Sequence, residues 1–295
     1  MAKQFTGTGT ALITPFTKYG EIDEEALRRL VDFQEENGID MILACGSTGE
    51  PATLTNEEHR KVMSIVVDQA RKVKVVCGAG SNCTREAVEL SKAASDMGAD
   101  ALLSISPYYN KPTQEGLFQH YKAIAEAVDM PLIFYNVPSR TGVNISADTM
   151  VRLSELPGIV GVKEASGDLA LATKVIKETG DDFCVLSGND DLTVDIMESG
   201  GDGVISVASN CCPKQVVEMV KTAQSGNFAK AHEMSVALSP LFESMFVESN
   251  PIPVKYAMSR LGFGQNCLRL PLTPLSETAR ARIDPVLDRF LEQTD

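Results

Sequence analysis

Eight short apolar segments alternate with eight longer amphipathic segments between residues 8 and 225, and this alternation limits the possible folds more than any other feature. The apolar segments, predicted as strands, are residues 8–14, 41–45, 73–77, 101–106, 131–135, 160–163, 183–186 and 203–207. The amphipathic segments, predicted as helices, are residues 23–37, 56–72, 84–97, 114–128, 146–154, 169–179, 192–199 and 213–225. Repeated strand–helix units of this kind are typical of a parallel sheet in an α/β fold.

The pattern inside the segments supports the same fold class. The strand segments are almost continuously apolar, as parallel strands covered on both faces are. Eight units is the number in a (β/α)8 TIM barrel, which takes about 250 residues. A doubly wound open sheet would usually carry a glycine-rich turn after its first strand, and Thr14-Pro15-Phe16 contains none. We therefore predict a (β/α)8 TIM barrel.

The strand pattern stops after Ser225. Residues 228–246, 251–261 and 277–293 have the apolar spacing of helices. The sequence thus predicts a catalytic barrel over residues 1–226 and a small C-terminal helical domain over residues 227–295.

Charge and composition restrict the partners and the compartment. The net charge of −13 argues against nucleic-acid binding, which needs a basic face. No apolar run approaches the ~18 residues of a membrane span, and the first twenty residues do not resemble a signal peptide. Seven cysteines without a C-x-x-C spacing are typical of reduced thiols. We expect a cytoplasmic protein without a membrane partner.

Lys163 is the strongest candidate for chemistry because it closes the sixth predicted strand, in Gly161-Val162-Lys163-Glu164-Ala165. A buried ammonium is costly unless it is paired or deprotonated, and a neutral lysine amine is the nucleophile of Schiff-base chemistry. The three histidines, His59, His120 and His232, fall in helical segments rather than at strand ends. A transition-metal or Ser-His-Asp mechanism is therefore disfavoured, and we expect no bound metal.

Other polar residues follow the predicted strands, where the active sites of such barrels lie. They include two hydroxyls after the second strand, two tyrosines after the fourth and an arginine after the fifth. Each has an ordinary explanation as a turn, packing or surface residue, but together they predict one site. The loops at residues 187–190 and 200–206 could instead cradle a phosphate, although neither sequence is specific.

Five ordered motifs give the chain a resemblance to the dihydrodipicolinate synthases, a family of pyruvate-dependent class I aldolases, from Gly7 to about Leu275. These motifs are Gly46-Ser47-Thr48-Gly49-Glu50, Pro107-Tyr108-Tyr109-Asn110-Lys111-Pro112, Tyr135-Asn136-Val137-Pro138-Ser139-Arg140-Thr141-Gly142, Gly161-Val162-Lys163-Glu164-Ala165-Ser166 and Asn250-Pro251-Ile252-Pro253-Val254-Lys255. Ser47 stands where many members have threonine, and it keeps the hydroxyl.

The resemblance implies a lyase that condenses pyruvate with L-aspartate-4-semialdehyde in the diaminopimelate and lysine pathway. It implies a Schiff base between pyruvate and Lys163, with no other cofactor. Tyr135 would shuttle protons through Ser47 and through Tyr109 of a neighbouring subunit. The alternatives are a related aldolase acting on sugar acids, such as an N-acetylneuraminate lyase or a 2-keto-3-deoxygluconate aldolase, and a barrel that binds ligands without catalysis.

The resemblance also assigns binding roles. Thr48 and the backbone of Ile205 would hold pyruvate, Gly188 would contribute to substrate binding, and Arg140 would grip the carboxylate of the second substrate. The family is usually a homotetramer built as a dimer of dimers, and many members are inhibited by lysine between two barrels. The matching residues for that allosteric site are Pro51, Ala52, Asn56, His59, Asn82, Glu86 and Tyr108. An ordinary polar subunit interface explains these residues equally well.

Overall fold

A computed structural model, which describes residues 3–291, confirms the (β/α)8 barrel. Eight parallel strands form a closed ring in chain order, and β8 pairs with β1. The strands are β1 (Gly7–Ala11), β2 (Met41–Ala44), β3 (Lys74–Gly78), β4 (Ala101–Ile105), β5 (Leu132–Asn136), β6 (Ile159–Glu164), β7 (Cys184–Ser187) and β8 (Gly203–Ser206). Every predicted strand overlaps an observed one, and the closed ring excludes the open doubly wound sheet.

The helices surround the ring and continue beyond it. They are α1 (Glu24–Glu36), α2 (Asn56–Gln69), α3 (Thr84–Asp96), α4 (Gln114–Ala127), α5 (Pro138–Thr141), α6 (Ala147–Ser154), α7 (Leu169–Glu178), α8 (Thr193–Glu198), α9 (Pro213–Gln224), α10 (Phe228–Ser244), α11 (Ile252–Arg260) and α12 (Glu277–Leu291). The short helix α5 was not predicted, because four residues cannot display a helical period. The predicted end of the last helix at residue 293 lies outside the described residues. Within residues 3–291, no helix has the length and apolar character needed to span a bilayer.

Buried apolar side chains form two layers. The larger layer fills the space between the strands and the helices, and the smaller one contains inward-facing residues of the strands, such as Leu43, Leu103 and Leu186. Cys77 and Cys184 are buried strand residues, and Cys45 is buried directly after β2. The strands are therefore covered on both faces, as their continuous apolar pattern predicts.

The C-terminal helices are attached to the carboxyl end of the barrel by a buried ion pair. Nζ of Lys255 in α11 lies 2.5 Å from Oε1 of Glu50, and each side chain is only 1% exposed. The Phe16 ring lies beneath both Lys255 and Arg269, 4.0 and 4.6 Å from the charged groups. Arg269 also contacts Glu58 at 2.6 Å. These contacts fix the loop after β2, which carries Ser47 and Thr48, against the extension.

Candidate active site

Lys163 and Tyr135 lie on adjacent strands of the barrel, and they form the centre of the site. They occupy the same register position on the paired strands β6 and β5. Both side chains are buried, and the Lys163 Nζ lies 4.5 Å from the centroid of the Tyr135 ring. The prediction that Lys163 is a buried residue near the end of a strand is confirmed.

The surroundings of Lys163 favour its neutral form. Burial lowers the pKa of Lys163 to about 7. The nearby Asp190 opposes this shift, and the Arg140 guanidinium adds to it. Asp190 is itself held in place by Ser206 and by the backbone N–H groups of Val207 and Ala208, at 3.1 and 3.2 Å. Near neutral pH, a large fraction of Lys163 is therefore an unprotonated amine that can act as a nucleophile.

This pKa predicts the pH dependence of adduct formation by Lys163. Below pH 7 the amine is protonated and has no lone pair, so the rate of condensation with a ketoacid should rise with pH and level off above about 7. At pH 5 the neutral fraction, and with it the rate, should be about 100-fold below the plateau. Stopped-flow measurement of adduct formation between pH 5 and 10 checks this. A rate that still rises at pH 9–10 would assign Lys163 the ordinary lysine pKa and contradict the argument.

Tyr135 remains protonated under the same conditions. Burial raises its pKa to about 12, an effect that the Arg140 charge and the Ser47 hydroxyl partly offset. A phenol that keeps its proton beside a neutral amine can donate that proton to a reacting oxygen and recover it through a neighbouring hydroxyl. Ser47 and Tyr135 line the same cavity, and a proton relay between them stays a prediction.

Thr48 and Arg140 are joined through Asn250 of the segment before α11. The Asn250 Nδ2 donates to the Thr48 Oγ1 at 2.9 Å, and an Arg140 Nη donates to the Asn250 backbone oxygen at 2.9 Å. Thr48 is buried, whereas Arg140 is exposed on α5. Thr48 and Arg140, to which the resemblance gives different substrates, therefore both contact Asn250.

Gly188 lies beside Lys163 directly after β7, and Ile205 lies in the neighbouring strand β8. Ile205 is fully buried in β8. A Cβ added at Gly188 would lie 3.0 Å from Cε of Lys163 and 2.5 Å from Cβ of Ala165. Only glycine leaves this space beside the lysine open, because a side chain would push against the nucleophile.

One cavity of about 520 Å³ is lined both by part of the candidate active site and by predicted allosteric residues, although Lys163 is not in its lining. Ser47, Tyr135 and Arg140 line it together with Ala52, Asn56, His59, Glu86 and Tyr108. Asn82 is not part of its lining, but its Nδ2 donates to the Tyr108 backbone oxygen at 3.2 Å. The sequence did not predict that the two groups of residues would face a continuous space.

The side chains of His59 and Glu86, which line this cavity, both have hydrogen-bond partners. The His59 Nε2 lies 2.7 Å from the Gly78 backbone oxygen, and burial lowers the His59 pKa. A carbonyl only accepts, so Nε2 carries the proton and Nδ1 remains an acceptor. Glu86 accepts from the Ser81 hydroxyl and, at 3.4 Å, from Asn56 Nδ2.

Tyr109 does not meet Tyr135 of its own chain. It has a left-handed backbone with φ of 71°, its side chain is 89% exposed, and it is absent from the cavity lining. The proton relay predicted from the sequence therefore ends at Ser47 within a single chain, and a contribution from a neighbouring subunit stays a prediction.

The remaining histidines lie on helices, as expected. His120 in α4 contacts the Thr84 hydroxyl at 2.9 Å, and His232 in α10 contacts Glu198 at 2.9 Å. In the part of the chain that the structure describes, no three His, Cys, Asp or Glu side chains converge as a metal site would require.

Sequence reasoning gave no role to Asp190, Asn250 or the Glu50–Lys255 pair. Asp190 lies in the loop after β7, and barrel enzymes have their functional groups in such loops. Its position in the sequence could therefore have identified it as a candidate site residue. Asn250 and Lys255 belong to one of the five motifs. Their partners Thr48 and Glu50 are more than 200 residues away in the chain, so sequence spacing could not reveal the contacts.

The chain is similar to known proteins over almost its whole length. The model of the dihydrodipicolinate synthetase family matches residues 4–289. The chain is 50% identical over 287 residues to the 4-hydroxy-tetrahydrodipicolinate synthase of Chloroherpeton thalassium, covering 97% of this chain and 95% of the relative. The crystal structure of the Aquifex aeolicus dihydrodipicolinate synthase superposes with a TM-score of 0.95 at 47% identity, covering 97% and 98% of the two chains. A chloride-inhibited dihydrodipicolinate synthase from Acinetobacter baumannii, complexed with pyruvate, has a TM-score of 0.94 at 45% identity, with 99% of each chain covered.

Proposed function

Because the chain belongs to the dihydrodipicolinate synthetase family, we propose that it condenses pyruvate with L-aspartate-4-semialdehyde through a Schiff base on Lys163. This is the activity of a 4-hydroxy-tetrahydrodipicolinate synthase, a lyase of diaminopimelate and lysine biosynthesis. The observation that carries the catalytic assignment is the buried Lys163 amine, its pKa lowered to about 7, beneath the Tyr135 ring.

The proposed reaction begins when the neutral Lys163 amine attacks the keto carbon of pyruvate. Tyr135 protonates the carbonyl oxygen, which leaves as water, and the resulting iminium withdraws electrons from the methyl group. Loss of a methyl proton gives an enamine, and its carbon attacks the aldehyde of the second substrate. The amino group of that substrate then displaces Lys163 and closes the ring. The lysine itself provides the electron sink, so the mechanism includes no further cofactor.

The binding roles in this mechanism follow from charge and position. Gly188 adjoins Lys163, and it would hold pyruvate together with Thr48 and the backbone of Ile205. Arg140 would bind the carboxylate of the second substrate, because a planar guanidinium can donate two parallel hydrogen bonds to a carboxylate.

An aldehyde screen tests the choice of second substrate. With pyruvate present, the enzyme should turn over L-aspartate-4-semialdehyde at least about 100-fold more efficiently than N-acetylmannosamine or glyceraldehyde, since only the first offers both a carboxylate and an amine. Faster use of a sugar aldehyde would place the chain with the sugar-acid aldolases instead.

We expect Tyr109→Phe to lower turnover by about 10- to 100-fold, because it removes one hydroxyl from the proton relay. Formation of the pyruvate adduct should persist, since the variant leaves Lys163 and Tyr135 unchanged. Steady-state rates and intact mass after borohydride reduction measure the two effects. Tyr19→Phe is the matched control, because Tyr19 is likewise exposed, at 78%, and lies outside the cavity lining.

Mixing the impaired Tyr109→Phe variant with the inactive Lys163→Ala variant tests whether Tyr109 acts across a subunit interface. A mixed dimer of Tyr109→Phe and Lys163→Ala chains contains one site with an intact lysine and an intact tyrosine from the partner. Activity above the sum of the separate variants supports the exchange, and a proposed dimer-of-dimers homotetramer would contain such interfaces. An unchanged rate for Tyr109→Phe alone would remove this residue from the relay.

We further propose that the cavity part lined by Ala52, Asn56, His59, Glu86 and Tyr108, with Asn82 beside it, binds lysine as an inhibitor. Glu86 offers a carboxylate to an ammonium, and His59 offers Nδ1 as an acceptor. Titration calorimetry should show binding at millimolar lysine, weakened about 10-fold or more by Glu86→Gln. If the unaltered chain gives no heat when lysine is added, the inhibitor site is excluded. A polar subunit interface then explains these residues.

A further inference from the structure

A buried polar pair lies directly behind Lys163 and Tyr135. Asn136 follows Tyr135 at the end of β5, and Glu164 follows Lys163 at the end of β6. Successive residues of a strand face opposite sides of a sheet, so the side chains of Asn136 and Glu164 lie on the outer face of the barrel. The two residues are paired in register, and the Asn136 Nδ2 donates to the Glu164 Oε2 at 2.9 Å. They are 0% and 2% exposed.

The Asn136 side chain closes the loop that carries Arg140. This loop, residues 137–145, leaves the end of β5, contains α5 and leads to α6. The Asn136 Oδ1 accepts from the Ile145 backbone N–H at 3.0 Å, and its Nδ2 also donates to the Asn144 Oδ1 at 2.8 Å. One buried side chain thus ties the last residues of the loop to the strand from which the loop starts.

Glu164 orients this amide. Its second oxygen accepts from the Ser166 backbone N–H at 2.6 Å, so both oxygens act as acceptors, which is the role of an ionised carboxylate. Burial raises the pKa of Glu164, whereas the hydrogen bonds from Ser166 and Asn136 stabilise the ionised form. With the amide reversed, the Asn136 oxygen would face the carboxylate and its NH₂ group would face the Ile145 N–H. Glu164 therefore favours the one amide orientation that closes the loop.

Arg140 depends on such a support because its own element is short. The helix α5 contains only four residues, and a single helical turn has little stability by itself. Arg140 is exposed, and its guanidinium contacts the Asn250 backbone oxygen at 2.9 Å. A displacement of about 1 Å in a group that aligns a substrate can cost about 100-fold in rate. The ends of the loop therefore matter for the position of the arginine.

We propose that Asn136 and Glu164 are positioning residues, which hold the loop 137–145 so that Arg140 is placed for the carboxylate of the second substrate. They act through Arg140 and touch neither substrate. This inference rests on the proposed function, and it adds a second role to the ends of β5 and β6. Their inward residues, Tyr135 and Lys163, perform the chemistry, and the next residue of each strand supports the substrate-binding loop.

A double-mutant cycle with Arg140 tests this proposal. Asn136→Ala should lower kcat/KM for L-aspartate-4-semialdehyde about 10- to 100-fold in the unaltered chain. In a chain that already carries Arg140→Ala, the same change should cost less than about threefold, because the loop then has no arginine to position. Equal losses in the two backgrounds would overturn the proposal and leave Asn136 as a residue of the fold only.

Asn210→Ala is the matched control for this cycle. Asn210 is also fully buried, and its side chain likewise holds backbone groups at strand ends. It accepts from the Ile13 N–H at 3.1 Å and donates to the backbone oxygens of Ala11 and Val207 at 2.8 and 2.9 Å. These partners lie at β1 and β8 rather than in the loop 137–145. Any loss that this variant causes should therefore be the same with and without Arg140.

Reversing the pair provides a rescue. Asn136→Asp alone sets two carboxylates against each other and should lower kcat/KM about 10- to 100-fold. Addition of Glu164→Gln supplies an amide that donates to the new carboxylate, which still accepts from the Ile145 N–H. This double variant should recover to within about fivefold of the unaltered chain. A double variant that forms the pyruvate adduct but shows no recovery would contradict the role of the pair.

The pyruvate adduct, measured by mass in every variant, shows which chains are folded. If Asn136→Ala forms none, Asn144→Ala takes its place in the cycle, because Asn144 is exposed and its removal takes away only one contact of the amide. The loss should then be about 3- to 10-fold, and it should vanish in the Arg140→Ala background. Absence of the adduct from the unaltered chain would contradict the proposed function. An intact adduct without coupling to Arg140 would contradict this inference alone.

Discussion

Lys163→Ala should lose condensation activity by about four orders of magnitude or more and should form no pyruvate adduct. The covalent route needs an amine that is both neutral and placed beside a proton donor, and Lys163 meets both conditions. Lys255 is also buried, but it is engaged with Glu50 at 2.5 Å and cannot replace the nucleophile. Steady-state assays measure the loss of turnover, and intact mass after borohydride reduction measures the loss of the adduct.

The control for this experiment is Lys174→Ala. Lys174 is an exposed residue of α7 whose Nζ contacts Asp148 at 3.0 Å, so its removal should leave turnover and adduct formation near the unaltered values. Lys163→Arg adds a second control, because it keeps a positive charge but offers no neutral amine, and it should also be inactive. Substantial turnover in either Lys163 variant would contradict the Schiff-base mechanism.

Arg140→Ala should separate the two half-reactions. The pyruvate adduct should still form, whereas kcat/KM for L-aspartate-4-semialdehyde should fall by roughly 10²–10⁴, the effect of losing a two-point, charge-assisted contact with a carboxylate. A secondary effect follows from electrostatics. Arg140 contributes to the lowered pKa of Lys163, so its removal should raise that pKa and move the rise of adduct formation to higher pH.

Arg152→Ala is the matched control for Arg140. It removes an exposed guanidinium on α6 that contacts Glu115 at 3.0 Å, and it should not affect either half-reaction. Loss of the pyruvate adduct in Arg140→Ala would show that this arginine supports the structure of the site rather than binding the second substrate.

The barrel and the position of Lys163 were predictable because they depend on local patterns. Continuous apolar runs such as residues 101–106 are signals of strands covered on both faces, and eight of them set the number of strands. A lysine at the end of such a run is unusual enough to mark a site. The hydroxyls of Ser47 and Thr48 and the guanidinium of Arg140 were found by the same rule, since they follow strands of a parallel barrel.

The remaining features depend on contacts between distant parts of the chain. The ion pair of Glu50 and Lys255 and the bridge from Asn250 to Thr48 span more than 200 residues, and neither has a local signal. The direction of Tyr109 is set by a left-handed backbone that residue types alone do not specify. The continuity of the cavity from Tyr135 to Glu86 follows only from the packed structure.

The central claim is that pyruvate becomes bound covalently to one lysine. Reduction of the unaltered protein with borohydride in the presence of pyruvate, followed by peptide mass spectrometry, tests it most directly. The account predicts one added pyruvate-derived group per chain, about 72 Da, on the peptide containing Lys163. No added mass, or an adduct on a different residue with Lys163 unmodified, would contradict it.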